Sequence, residues 1–107
     1  MERTEVLSDA GCIFHPVRFR IVRLLTKKKL SISGMAKRLR IDRGVAAFHL
    51  ATLENHGLVK KEYQLPRPPK KNRPGVARNI YQTTEKVGQV VDDFKIILRE
   101  LKQEARV

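Results

Sequence analysis

Apolar residues recur at helical spacing along most of this chain, and the interruptions mark its turns. Val6, Leu7, Ala10 and Ile13 step by three and four, which predicts a short helix over residues 4–13. His15-Pro16 restarts the chain, since proline suits a first helical turn whose N–H has no partner to lose. Val17, Ile21, Leu24 and Leu25 then form one stripe of a second helix, with Arg18, Arg20 and Arg23 off it. Lys27, Lys28 and Lys29 close it with cations at the negative end of the helix dipole. Ser31 is a good N-cap for a short third helix carrying Ile32, Met35, Ala36 and Leu39. After a tight link at Ile41-Asp42, a fourth helix is expected over 43–56. Ala46, Leu50 and Leu53 make its buried face, and Gly57 ends it.

Beyond Gly57 the period changes. "LVKKEYQL" reads as a strand with Leu58, Val59, Tyr63 and Leu65 apolar, and "VARNIYQT" reads as a second. Between them "PRPPKKNRPG" holds four of the chain's five prolines and excludes both helix and central strand. The pair predicts a hairpin with a long, stiff, basic tip. Thr84 is placed to cap a last helix of about 22 residues, roughly 33 Å long. Its stripe comprises Val87, Val90, Val91, Phe94, Ile97, Leu98 and Leu101. That stripe is wider than one small body can cover. With Val6, Leu7 and Ala10 of the first helix it predicts a homodimer.

The order helix, helix, tight turn, helix, hairpin is a winged helix-turn-helix. It is a mainly α fold with a small β-hairpin wing (α+β) and a long C-terminal dimerisation helix. A single domain is expected in 107 residues, with the body and wing at 15–83 and accessory helices at 1–14 and 84–107. Charge follows the same division. Residues 15–83 hold 17 Lys/Arg against Asp42, Glu54 and Glu62, a net of +14, whereas residues 1–14 net −2 and residues 84–107 cancel. Solubility does not require such segregation, and a polyanion-binding body with uncharged ends does.

The residues also resemble a known family. "HPVRFRIVRLL" is similar to the opening helix of ArsR-type regulators, and "LSISGMAKRLRIDRGVAAFHLATLENHGLV" is similar to their core. The matching positions are Ser31, Ala36, His49-Leu50 and Gly57-Leu58-Val59, and "IYQTTEKVG" resembles the return strand and final cap. The resemblance covers about residues 15–90, and MarR-like relatives share much of it. It implies a transcription regulator that binds double-stranded DNA, a repressor in the usual case; a cytoplasmic protein is expected because no membrane-length apolar run and no secretory signal is present. Metal sensing does not carry over. The family's metal sensors use paired cysteines in the third helix, or His and acidic ligands in the last. "SISGMAKRL" has neither Cys nor His, and the last helix has Asp92-Asp93 without a histidine. No cofactor or metal is expected, and an effector molecule is not legible.

The candidate contacts follow. On the fourth helix Gly44, Phe48, Ala51 and Asn55 lie opposite Ala46 at 100° per residue, with Ala47 at the edge and Arg43 at the N-terminal end. Small residues allow close approach to the bases, Phe48 and Ala47 suit thymine methyls, and Arg43 suits guanine. Phe48 has a second reading, packing against its own fold. His49 is either structural or a phosphate contact. Arg18, Arg20, Ser31, Ser33 and Lys37 are candidate backbone contacts that fix register. The wing offers Arg67, Lys70, Lys71, Arg73 and Arg78 to the minor groove or flanking phosphates. Two-fold pairing places two recognition helices about 34 Å apart.

Other functions fare less well. No nucleophile–base spacing and no glycine-rich phosphate loop is present, so no enzyme is expected. Cys12 is the one cysteine, which rules out an intrachain disulfide and fits a small buried hydrophobe. No apolar run reaches the ~20 residues of a membrane span. A sequence-tolerant architectural DNA-binding protein stays open, because polar reading residues are few. A protein-docking module also stays open. RNA binding is disfavoured, since paired surface aromatics are lacking.

Overall fold

A computed structural model of the chain describes residues 2–65 and 78–106. In chain order the elements are α1 (Arg3–Ile13), α2 (Pro16–Lys27), β1 (Leu30–Ser31), α3 (Ile32–Leu39), α4 (Arg43–Asn55), β2 (Val59–Gln64), β3 (Arg78–Thr83) and α5 (Lys86–Glu104). Side chains fix the helix starts. His15 Nδ1 accepts from the Val17 N–H at 3.1 Å, Ser31 Oγ from Gly34 at 3.1 Å and Asp42 Oδ2 from Gly44 at 3.2 Å.

Two helix ends use left-handed backbone. Gly57, at φ +72°, ends α4, and the Leu58 N–H returns to the Leu53 carbonyl at 3.0 Å. Arg40 takes φ 56° after α3, and the Ile41 N–H returns to the Ala36 carbonyl at 3.1 Å. Both are Schellman-type closures. An arginine in this region costs about 1–2 kcal/mol of local strain, and it makes the turn between α3 and α4 as short as the sequence implied.

The sheet differs from expectation. It has three antiparallel strands in the order β1-β3-β2. Sequence reading foresaw only β2 and β3, because a two-residue strand is too short to show a period. Leu30 pairs with Tyr81 and Ser31 with Ile80, which ties the start of α3 to the wing. The final helix is also corrected. It begins at Lys86 with Glu85, not Thr84, at its N-cap position, and has no side-chain cap. The Thr84 hydroxyl instead donates to the Gly57 carbonyl at 2.6 Å.

One apolar core holds these pieces. Ile13, Ile21, Met35, Leu50, Leu53, Leu58 and Val59 are fully buried, and Ala46 lies with them. The alternation seen in α4 therefore has the packing consequence expected of it, with Ala46, Leu50 and Leu53 inward. Cys12 is buried in the same cluster as a free thiol. Burial pushes its pKa up, which disfavours the reactive thiolate.

α1 lies across α5. Arg3 forms a two-pronged pair with Glu100 at 2.7 and 3.2 Å, and the Phe14 ring meets Phe94 in a tilted contact at 5.4 Å. Val6, Ala10 and Val90 are buried here within the single chain. They serve this protomer's own packing and are not part of an open dimer face, as the sequence stripe had suggested. Leu7, Leu98 and Leu101 remain exposed, while Val87, Val91, Phe94 and Ile97 are half-buried.

Candidate nucleic-acid interface

α4 presents its outer face to solvent. Arg43, Gly44, Phe48 and Ala51 are exposed and Ala47 is half-buried. Phe48 is 66% exposed, so it does not pack into its own fold. Val45 joins this face at 41% exposure. It sits about 60° from Phe48 around the helix, which is why a reading centred directly opposite Ala46 passes over it.

His49 is different from its neighbours. It is 8% exposed, and its Nδ1 lies 3.3 Å from an Arg18 guanidinium nitrogen. A guanidinium only donates, so this Nδ1 accepts and the ring proton sits on Nε2. The His15 ring meets it in a tilted contact at 4.9 Å and Phe48 meets it edge-on at 5.4 Å. Arg18 also donates to the Cys12 carbonyl at 2.8 Å. His49 and Arg18 thus form a brace joining α1, α2 and α4 beneath the outer face. Of the two readings of His49, structural part or phosphate contact, its burial favours the structural one. Sequence spacing could not show this, because Arg18 is 31 residues away.

Burial, then the neighbouring His15 and Arg18, hold the His49 pKa below its ordinary value. The unfolded chain takes up that proton near pH ~6.5, and the folded chain resists it. The contribution to stability is therefore whole above about pH 6.5 and is lost as pH falls from there towards the lower folded value. Urea unfolding of the native chain at about pH 7.5 and 5.5 is expected to show lower stability at the acid value. His49→Gln removes part of that difference. Equal pH dependence in both proteins excludes the brace as its source.

The remaining support residues divide. Ser33 and Lys37 are exposed on α3. Ser31 spends its hydroxyl on the cap of α3. Arg20 is exposed and donates to the Leu39 carbonyl at the end of α3, at 3.1 Å. On the wing, Arg78 is exposed and pairs in register with Gln64. Arg67, Lys70, Lys71 and Arg73 lie outside the described residues.

Behind α4 is a cluster the sequence did not announce. Asp9 is 8% exposed and receives His56 Nδ1 at 2.7 Å and Lys86 Nζ at 3.2 Å. Lys86 also donates to the His56 carbonyl at 2.6 Å. One buried carboxylate thus joins α1, the end of α4 and the start of α5. His56 is a partner in this junction through both its ring and its carbonyl.

A helix-turn-helix braced from below, open on its outer face and joined to a two-stranded wing defines a winged helix-turn-helix protein. Residues 13–62 match the model of a family described as a helix-turn-helix domain. The fold is that of ArsR-type regulators. An ArsR-like transcriptional regulator from Rhodococcus sp. RHA1 superposes with a TM-score of 0.67 at 22% identity, over 96% of this chain and 88% of the other. The transcriptional repressor BigR from Xylella fastidiosa gives 0.62 at 22% identity, over 92% and 88%. A homodimeric winged helix-turn-helix DNA-binding domain from Mycobacterium bovis, a possible ArsR-family regulator, gives 0.62 at 17% identity, over 94% and 84%. No curated protein matches the sequence. Among the described residues no helix is long and apolar enough to cross a membrane.

Proposed function

We propose that this protein is a homodimeric, sequence-specific DNA-binding transcription regulator that represses by occupying a promoter. α4 enters the major groove, and the wing, residues 66–75, addresses the minor groove or flanking phosphates. The observation that carries the reading is the outer face of α4, which is exposed and largely apolar, with Arg43 at its end, in a segment of net charge +14. The homodimeric DNA-binding relative and the repressor relative support the same assignment. Arg20, Ser33, Lys37 and Arg78 suit phosphate contacts that set register.

Selection of bound sequences from random duplex DNA tests this. Enrichment of an inverted repeat is the expected result, and absence of any enriched sequence overturns specific recognition. Contact with 6–10 phosphates gives a log–log salt slope of about −5 to −9. A slope near zero rules out the groove-bound arrangement.

One observation favours a second reading, that of a sequence-tolerant architectural protein. On the outer face of α4 only Arg43 and Asn55 keep free polar side-chain groups, since the Thr52 hydroxyl donates to the Phe48 carbonyl at 3.1 Å. Excess random duplex would displace such a protein, whereas a specific complex survives it.

A further inference from the structure

Most of the hydrogen-bonding capacity of the outer face of α4 is already used. The Gly44 N–H is held by Asp42, and the Thr52 hydroxyl is turned back onto its own helix. What stands free between Arg43 and Asn55 is Val45 and Phe48, with Gly44 and Ala51 leaving room beside them. Phe48 is the most exposed large apolar side chain on any described helix. Its ring is set edge-on against buried His49, and His49 is fixed by Arg18, so Phe48 stands on a rigid base.

An apolar side chain held out in water is unfavourable unless a partner covers it. The surrounding charge says what kind of partner. Lys37, Arg38, Arg40 and Arg43 are exposed at the turn that leads into α4, and the only acid there, Asp42, is engaged in capping. The occupant is therefore a polyanion that offers apolar groups within its groove. B-form DNA offers one such group on the major-groove base edges, the thymine 5-methyl. Double-stranded RNA has no such methyl, and its deep, narrow major groove does not admit side chains.

We infer that α4 recognises thymine through its 5-methyl group, with Phe48 as the specificity-determining residue and Val45 beside it. The inference rests on the DNA-binding reading above and adds the base and the contacting group. Arg43 anchors the end of the helix, and discrimination along its middle comes from apolar contact.

The test uses two alternating duplexes of about 30 base pairs, long enough for both protomers, one d(A-T) and the other d(A-U). They share phosphates and base hydrogen-bonding edges and differ in the 5-methyl. Binding to the full chain is measured at several salt concentrations. The native protein is expected to prefer d(A-T) by about four-fold per contacted methyl, and by about fifteen-fold when both protomers contribute. Phe48→Ala brings the ratio close to one while the salt slope persists, and Phe48→Leu keeps part of the preference. Circular dichroism confirms that these exposed-site variants are folded.

Equal, salt-dependent binding of both duplexes by the native protein overturns methyl recognition and leaves DNA binding intact. Failure to bind either duplex even at low salt, where phosphate contacts alone suffice, overturns the DNA-binding reading itself. A Phe48→Ala protein with an unchanged ratio removes Phe48 from the role. If that variant instead keeps both affinities and changes its oligomeric mass, the face is a protein contact and the inference falls.

Discussion

Leu50→Ala is expected to lower the free energy of unfolding by about 3 kcal/mol, within the range of 2–5 usual for a fully enclosed leucine. Leu50 has no exposed surface and belongs to the cluster that includes Ile21, Met35, Leu53 and Leu58. That cluster draws on α2, α3, α4 and the entry to β2, so its wall cannot collapse into a cavity without moving several elements. Two residues away on the same helix, Phe48→Ala is expected to change stability by no more than about 0.5 kcal/mol. Urea midpoints for the two variants, compared at constant m-value, check both statements. A small loss at Leu50, or a large one at Phe48, contradicts the assignment of the two faces of α4.

The second large effect concerns pairing of protomers. Leu7, Leu98 and Leu101 are exposed at 48%, 46% and 59%, and Ile97 is half-buried about 40° from Leu101 around α5. Glutamate at both 98 and 101 places charge in that stripe without touching buried Val90. The double variant is expected to sediment as a folded monomer. It should bind an inverted-repeat duplex about 100-fold or more weakly, because the linked second contact is lost. A variant that stays dimeric moves the interface elsewhere. A monomer with undiminished affinity shows that pairing does not contribute to binding.

The parts of the molecule legible in its sequence are those set by local spacing. Ala46, Leu50 and Leu53 repeat at helical intervals, so the inner face of α4 and, by subtraction, its outer face followed directly. The cap at Ser31 and the glycine ending α4 have local chemical causes and were equally plain. What escaped depends on distant partners. Asp9 looks like an ordinary polar position until α4 and α5 bring His56 and Lys86 to it. His49 looks like a contact residue until Arg18 closes on it from α2. Val6, Ala10 and Val90 sit on stripes that predict an apolar face and cannot say whether the chain or a second copy covers it. β1 has no period to detect, being two residues long.

The ties around Gly57 have a mechanical consequence. Thr84 holds the Gly57 carbonyl, Lys86 holds that of His56, and Asp9 grips both His56 and Lys86. The base of the reading helix is thereby clamped to the root of the longest helix, with no slack segment to absorb misfit. In a dimer built along α5, the gauge between the two reading helices is a property of the folded body and not of a linker. Such a molecule acts as a fixed caliper, intolerant of even one base pair added between its two targets.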